Sequence, residues 1–188
     1  MDDAVYQYQH DRSPKELLFQ FTRCMVHFAV DDAQVKFCTR LQGKESWFLP
    51  FNKGYKDGAG NPPNPDGLMT DYLWKQILTK DMLSRIIENY ATLVEEKDEE
   101  TGKTRYKQIF PRYHQLTAVE SLLADVKKNG VGNRYLIQHS AGSGKSNSIA
   151  WLAHQLTGLE DAQGNLLVDS VIVVTDRVVL DKQIRDTI

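Results

Sequence analysis

Cysteine is nearly absent from this chain: Cys24 and Cys38 are the only two in 188 residues. Both stand among apolar neighbours, and two cysteines build no disulfide framework, so a reduced, cytoplasmic protein is expected. No apolar run approaches the ~18 residues of a membrane helix, so no membrane partner is expected either. The first residues are polar and acidic, unlike a signal peptide. Neither sign of charge dominates: 23 basic residues against 25 acidic ones leave a net charge of -2. Binding to nucleic acid would therefore need a local basic face rather than overall charge. The five histidines show no metal-ligand spacing. No Ser–His–Asp or Cys–His arrangement can be assembled from the chain. What is present is a 41% hydrophobic content, enough to bury a core in one domain or in parts of two.

The most informative stretch is Tyr135-Leu136-Ile137-Gln138-His139-Ser140-Ala141-Gly142-Ser143-Gly144-Lys145-Ser146. It reads as a short strand, a glycine-rich turn and a Lys-Ser pair opening a helix, the layout of a phosphate-binding loop. A triphosphate needs several N–H donors aimed at one concave spot, and glycine lets the backbone of Ser140, Ala141, Gly142, Ser143 and Gly144 curl close enough. The helix that starts near Lys145 adds unpaired N–H groups and the positive end of its dipole. Lys145 can reach the β- and γ-phosphates, and the Ser146 hydroxyl can ligate Mg²⁺. His139 stands where the general G-x-x-x-x-G-K-[ST] pattern has glycine. The competing reading is a glycine-rich turn followed by a surface lysine.

Around this loop the chain divides into two patterns. Pro14 to Met25 carries a helical period through Leu17, Leu18, Phe21, Cys24 and Met25. Val26–Val30 and Val35–Leu41 read as a hairpin turning at 31–34, and Ser46–Phe51 as a third short apolar piece. Residues 53–67 are dense in Gly, Pro and Asn and form a long loop, of the kind that is functional or mobile. Two helices are expected over 70–78 and from Asp81 to about Tyr90, the second with Leu83, Ile86, Ile87, Tyr90 and Val94 on one face. A charged run from Glu95 to Lys103 separates flanks that can pair as an exposed hairpin, 92–96 with 104–110. The domain boundary is placed here, near residue 92. An amphipathic helix follows over 111–128, buried through Leu116, Val119, Leu122, Leu123 and Val126. Then come a strand at 134–138, the loop, and a helix with Ile149, Leu152, Ala153 and Leu156 inward. A β-branched strand at 170–175 and another helix from Asp176 complete the chain. Helix, strand, helix, strand, helix is the opening of a doubly wound parallel sheet, with the nucleotide at the carboxyl ends of the strands. Two parallel strands bury too little to stand alone, and a third strand is due after Ile188.

Two further features bear on function. Gln115, 30 positions before Lys145 in Arg112-Tyr113-His114-Gln115, can read the N6/N7 edge of adenine, or it is a solvent-facing helix-start residue. Thr175 and Arg177 can contact a nucleic-acid phosphate. Alternatively Asp176 caps the helix and Arg177 is a surface charge. Pro65-Asp66 with Glu95-Glu96-Lys97 spells the Pro-Asp…Glu-x-Lys pattern of Mg²⁺ nucleases. That chemistry needs two carboxylates and a lysine on adjacent strands. Asp66 lies in a Gly/Pro loop and Glu95 opens a charge run, so no site is assigned to them.

The run from Gln138 to His154, with Phe110-Pro111-Arg112-Tyr113-His114-Gln115 and Thr175-Asp176-Arg177, resembles the restriction (R) subunit of type I restriction–modification enzymes. His27-Phe28-Ala29-Val30, Phe48-Leu49-Pro50-Phe51-Asn52 and Gly58-Ala59-Gly60-Asn61-Pro62 carry the same resemblance, and His139 is what that family has at its position. The resemblance implies an α/β chain. Residues 1–92 would be the tail of a PD-(D/E)xK-type nuclease domain, and 93–188 the incomplete start of a RecA-like P-loop helicase domain. It also implies an ATP- and Mg²⁺-dependent translocase of double-stranded DNA that cleaves away from its recognition site, working with methyltransferase (M) and specificity (S) subunits. The nuclease carboxylates would lie upstream of Met1, and the acidic Mg²⁺-binding motif beyond Ile188. On that footing this stretch alone should be inactive. The alternative is a nucleotide-binding regulatory or interaction module that does not hydrolyse ATP.

Overall fold

Two short β-prone runs, 26–30 and 35–38, flank the polar turn at Asp31, and a hairpin forms there. In the computed structural model, which describes residues 1–56, 58–97 and 102–175, strands β1 (His27–Val30) and β2 (Val35–Cys38) pair antiparallel, with Val30 opposite Val35 and Phe28 opposite Phe37. The Asp31 carboxylate closes the turn by accepting the N–H groups of Ala33 (2.9 Å) and Gln34 (2.7 Å), the local bonding that suits Asp to turns. The short β3 (Leu49–Pro50) adds to β2 on its other side. By compactness the chain separates into Met1–Tyr113 and His114 onward.

In the first unit the sheet feeds an aromatic core. Phe51 is fully buried, and its ring meets those of Phe28, Phe37, Phe110 and Tyr113 at centroid distances of 5.4, 5.7, 6.2 and 5.8 Å. The buried Tyr72 hydroxyl donates to the Phe51 carbonyl (2.7 Å), and burial pushes its phenol far above the ordinary range. Phe110 and Tyr113 pack into this core, and both belong to the first compact unit.

The long Gly/Pro loop is pinned rather than loose. Asn61 is buried; it accepts the Lys53 N–H (2.8 Å) and donates to the Ala33 carbonyl (2.8 Å) and to Asn52 Oδ1 (3.0 Å). Asn52 Oδ1 also accepts the Val35 N–H (2.8 Å), tying the loop to the start of β2. A wide π turn over Leu73–Ile77 leads to helix Lys80–Asn89, whose Thr79 cap accepts the Met82 N–H. Ile86 and Tyr90 are buried there, whereas Ile87 is half exposed, so the inward face is narrower than the period suggested. The expected exposed hairpin forms as β4 (Thr92–Lys97) and β5 (Thr104–Ile109).

One expected helix does not form. Pro14 to Met25 contains only a single 3₁₀ turn over Leu17–Phe19, and Leu17 and Leu18 are exposed. Short helices depend on a packed apolar face, and these leucines have none. A short helix at Asp2–Tyr6, continued by a π turn over Gln7–Asp11, stands upstream instead.

In the second unit the helix Tyr113–Asn129 buries Gln115, Leu116, Val119 and Val126. It stops at Gly130, whose positive φ of 76° and N–H bond to the Val126 carbonyl (2.8 Å) make a left-handed C-terminal cap. Asp125 near its end accepts from Tyr135 (2.5 Å), Asn129 (2.8 Å) and Asn133 (3.3 Å), which brings the following segment back along the helix. Residues 134–138 and 170–175 take no regular secondary structure and join no sheet among the described residues, and Leu136, Ile172 and Val174 are almost fully exposed. The expected parallel sheet is therefore not formed among the described residues. A β-branched run becomes a strand only when a neighbour takes up its N–H and C=O groups, and neither run pairs with the other. Helix Lys145–Thr157 buries Ala150, Trp151 and Ala153, while Ile149 is partly exposed. The helix expected from Asp176 lies outside the described residues.

Candidate nucleotide site

The loop between residues 139 and 145 must reverse the chain and present its backbone inward, and two glycines make that possible. Gly142 and Gly144 have φ of +72° and +81°, conformations that L side chains rarely adopt. Gly144 is the N-terminal flank of helix Lys145–Thr157, and that helix has no side-chain cap. Among the described residues, no protein acceptor takes the N–H of Gly144, Lys145 or Ser146. These are the orphan donors of a helix start, backed by the positive end of the helix dipole. The Ser143 hydroxyl is buried and has no hydrogen-bond partner among the described residues. Unclaimed N–H groups beside a buried, unsatisfied hydroxyl are a donor set that suits an anion rather than a packed turn. The residues therefore fit a nucleotide phosphate.

Lys145 bends its ammonium over the same loop. Its Nζ donates to the carbonyls of Ser140 (2.8 Å) and His139 (3.3 Å). Its cation is thus already at the loop, held by neutral carbonyls that a phosphate could replace with stronger, charge-assisted bonds. Its side chain also borders a cavity of about 120 Å³ lined by Val119, Leu122, Ile137, His139 and Ile149.

Of the residues singled out in the sequence, Ser140, Ala141, Gly142, Ser143, Gly144, Lys145 and Ser146 form this one turn. Gln115 is brought to it from 29 residues away. It is buried, and its Nε2 donates to the Gly144 carbonyl at 2.7 Å. Gln115 therefore faces the loop rather than solvent. Thr175 is half-buried at the end of the 170–175 segment, and Arg177 lies outside the described residues. Asp66 and Glu95 are both exposed, on a turn and on β4. Among the described residues no group of three His, Cys, Asp or Glu stands close enough to hold a metal.

Sequence reasoning missed His114. Its Nε2 lies 3.2 Å from the Ser143 carbonyl, and its ring packs edge-on against His139 with centroids 4.7 Å apart. The available signal was its place beside Gln115, together with a histidine at 139 where glycine is usual.

Residues 114–188 match the family model described as SWI2/SNF2 ATPase, a span of less than half of the chain. This stretch is accordingly similar to a helicase-like ATPase, and such ATPases use ATP. No curated protein and no solved structure matches the chain. Among the described residues no helix is long and apolar enough to cross a membrane.

Proposed function

We propose that this chain is part of the restriction (R) subunit of a type I restriction–modification enzyme, an ATP-driven translocase of double-stranded DNA that also cleaves it. In this reading residues 1–92 are the tail of the nuclease domain, and residues 93–188 open a RecA-like motor domain. The observation that carries it is the loop at 139–146. Its unclaimed N–H groups and Lys145 sit at a helix start inside the stretch that resembles a SWI2/SNF2 ATPase.

In this proposal the N–H groups of Gly144, Lys145 and Ser146 hold the phosphates, Lys145 pairs with the terminal ones, and the Ser146 hydroxyl ligates Mg²⁺. Bound Mg·ATP supplies the phosphoryl group whose hydrolysis drives movement along DNA. Gln115 distinguishes adenine from other bases through the oxygen and second N–H of its amide, while its other N–H stays on the Gly144 carbonyl. Thr175 and Arg177 contact the DNA backbone. M and S subunits supply the recognition of a DNA target.

The test is DNA-stimulated ATP hydrolysis by the full-length subunit that contains this stretch, carrying Lys145→Ala. Hydrolysis should be lost; a wild-type rate would remove the basis of the proposal. Gln115→Ala should weaken the preference for ATP over GTP, and an intact preference would return Gln115 to a purely structural role. A chain that binds Mg·ATP tightly but never hydrolyses it, with or without DNA, would favour a regulatory nucleotide-binding module instead.

A further inference from the structure

His114 touches both ends of the phosphate loop. At one end its ring meets the His139 ring edge-on, with centroids 4.7 Å apart at an interplanar angle of 80°. At the other its Nε2 lies 3.2 Å from the carbonyl of Ser143. A carbonyl can only accept, so the neutral His114 ring must carry its proton on Nε2 and donate it there. The next residue in the helix, Gln115, donates to the next carbonyl, that of Gly144. Two successive side chains thus hold two successive carbonyls, at the last turn before Lys145. Turning these carbonyls toward the helix leaves the N–H groups on the other side of their peptides facing away from it, as an anion site requires. The arrangement also gives His139 a purpose. Glycine there would leave the His114 ring without its neighbour at the start of the loop.

We infer that His114 is a positioning residue for the phosphate loop, bracketing it between the Ser143 carbonyl and the His139 ring so that the loop is held ready for a nucleotide. This rests on the nucleotide-binding reading above. His114 acts through the loop and not on the reacting atoms. Its removal should therefore weaken nucleotide binding equally before and during the reaction.

The experiment measures DNA-stimulated ATP hydrolysis by the full-length subunit that contains this stretch, as a function of ATP concentration. His114→Ala should raise KM for ATP by about 3- to 10-fold, the scale of one neutral hydrogen bond, with kcat within about twofold of wild type. His114→Gln keeps an amide N–H the same number of bonds from the backbone, and should recover most of that loss. His139→Gly should raise KM in the same direction. The double variant His114→Ala/His139→Gly should be no worse than His114→Ala alone, because both act through one bracket. An unchanged KM in His114→Ala, or losses that simply add in the double variant, would overturn the inference. So would a His114→Gln variant as impaired as the alanine one. Lys145→Ala separates the two levels. If it abolishes hydrolysis while His114→Ala is silent, only the bracket fails; if it hydrolyses ATP normally, the nucleotide site itself fails.

Discussion

Gly144 offers the sharpest test of the loop, because the structure separates two costs of adding one methyl group. Its φ of +81° lies in the left-handed region, where alanine pays roughly 1–2 kcal/mol. A Cβ built there would also stand 2.5 Å from Gln115 Nε2, closer than real Cβ atoms come to anything. The obstruction is the end of a flexible side chain, so Gln115 can withdraw. Withdrawal breaks its bond to the Gly144 carbonyl, and the loss of that one hydrogen bond costs roughly a further 0.5–1.5 kcal/mol. Together, Gly144→Ala should weaken Mg·ATP binding by about 1.5–3.5 kcal/mol, or roughly 10- to 400-fold. Gly142 is the internal control. It has a similar φ of +72°, but a Cβ there would meet no described residue within 4 Å. Gly142→Ala should carry the strain alone and weaken binding by about 5- to 30-fold. Adding Gln115→Ala to Gly144→Ala should cost little more, since the bond is already broken. The assay is equilibrium titration of the full-length chain with a fluorescent ATP analogue, competed by ATP. Equal losses at Gly142 and Gly144 would refute the contact with Gln115, and wild-type binding by Gly144→Ala would refute the loop geometry altogether.

Three further outcomes follow from the first unit. Phe51→Ala, at the centre of the aromatic cluster, should lower unfolding free energy by about 3–5 kcal/mol in a denaturant titration, and a loss under about 1 kcal/mol would contradict its burial. Asn61→Ala removes three bonds and leaves the Lys53 N–H and the Ala33 carbonyl to find other partners. It should cost roughly 2–4 kcal/mol and increase protease cleavage within 53–67, whereas unchanged cleavage would mean that the loop is not held by Asn61. Burial holds the His27 imidazole below its ordinary 6.5. The unfolded chain then takes up the proton first, so this term leaves stability flat above about pH 6.5 and lowers it as pH falls from there toward the folded pKa. Thermal melts from about pH 7.5 to about 5.5 should show a decline that His27→Gln flattens; an identical decline in the variant would assign it to other groups.

Much of the local structure was legible because it depends on neighbours in sequence. The turn at Asp31 is closed by the Asp31 carboxylate on the next few N–H groups. The 92–97 and 104–109 hairpin follows from two β-rich flanks around a charged run. The loop from Ser140 to Ser146 is legible because glycine, lysine and serine at that spacing have few other uses. The helix after Tyr113 was placed within a residue or two by its period and by Gly130. The failures have one cause. The leucines of Pro14–Met25 carry a helical period, and 134–138 and 170–175 carry strand composition, yet a helix needs a surface to pack on and a strand needs a partner. In these segments Leu17, Leu18, Leu136, Ile172 and Val174 remain exposed. Which carbonyl Gln115 would hold, that His114 would span the loop, and that Asn61 would pin 53–67 could not be read from spacing. Each contact joins residues that lie far apart along the chain, 29 positions for the first two and up to 28 for the third. Sequence composition sets which local turns and helices are cheap; only the path of the whole chain decides which distant polar groups meet, because an amide or an imidazole is satisfied equally well by any carbonyl that the fold brings within reach.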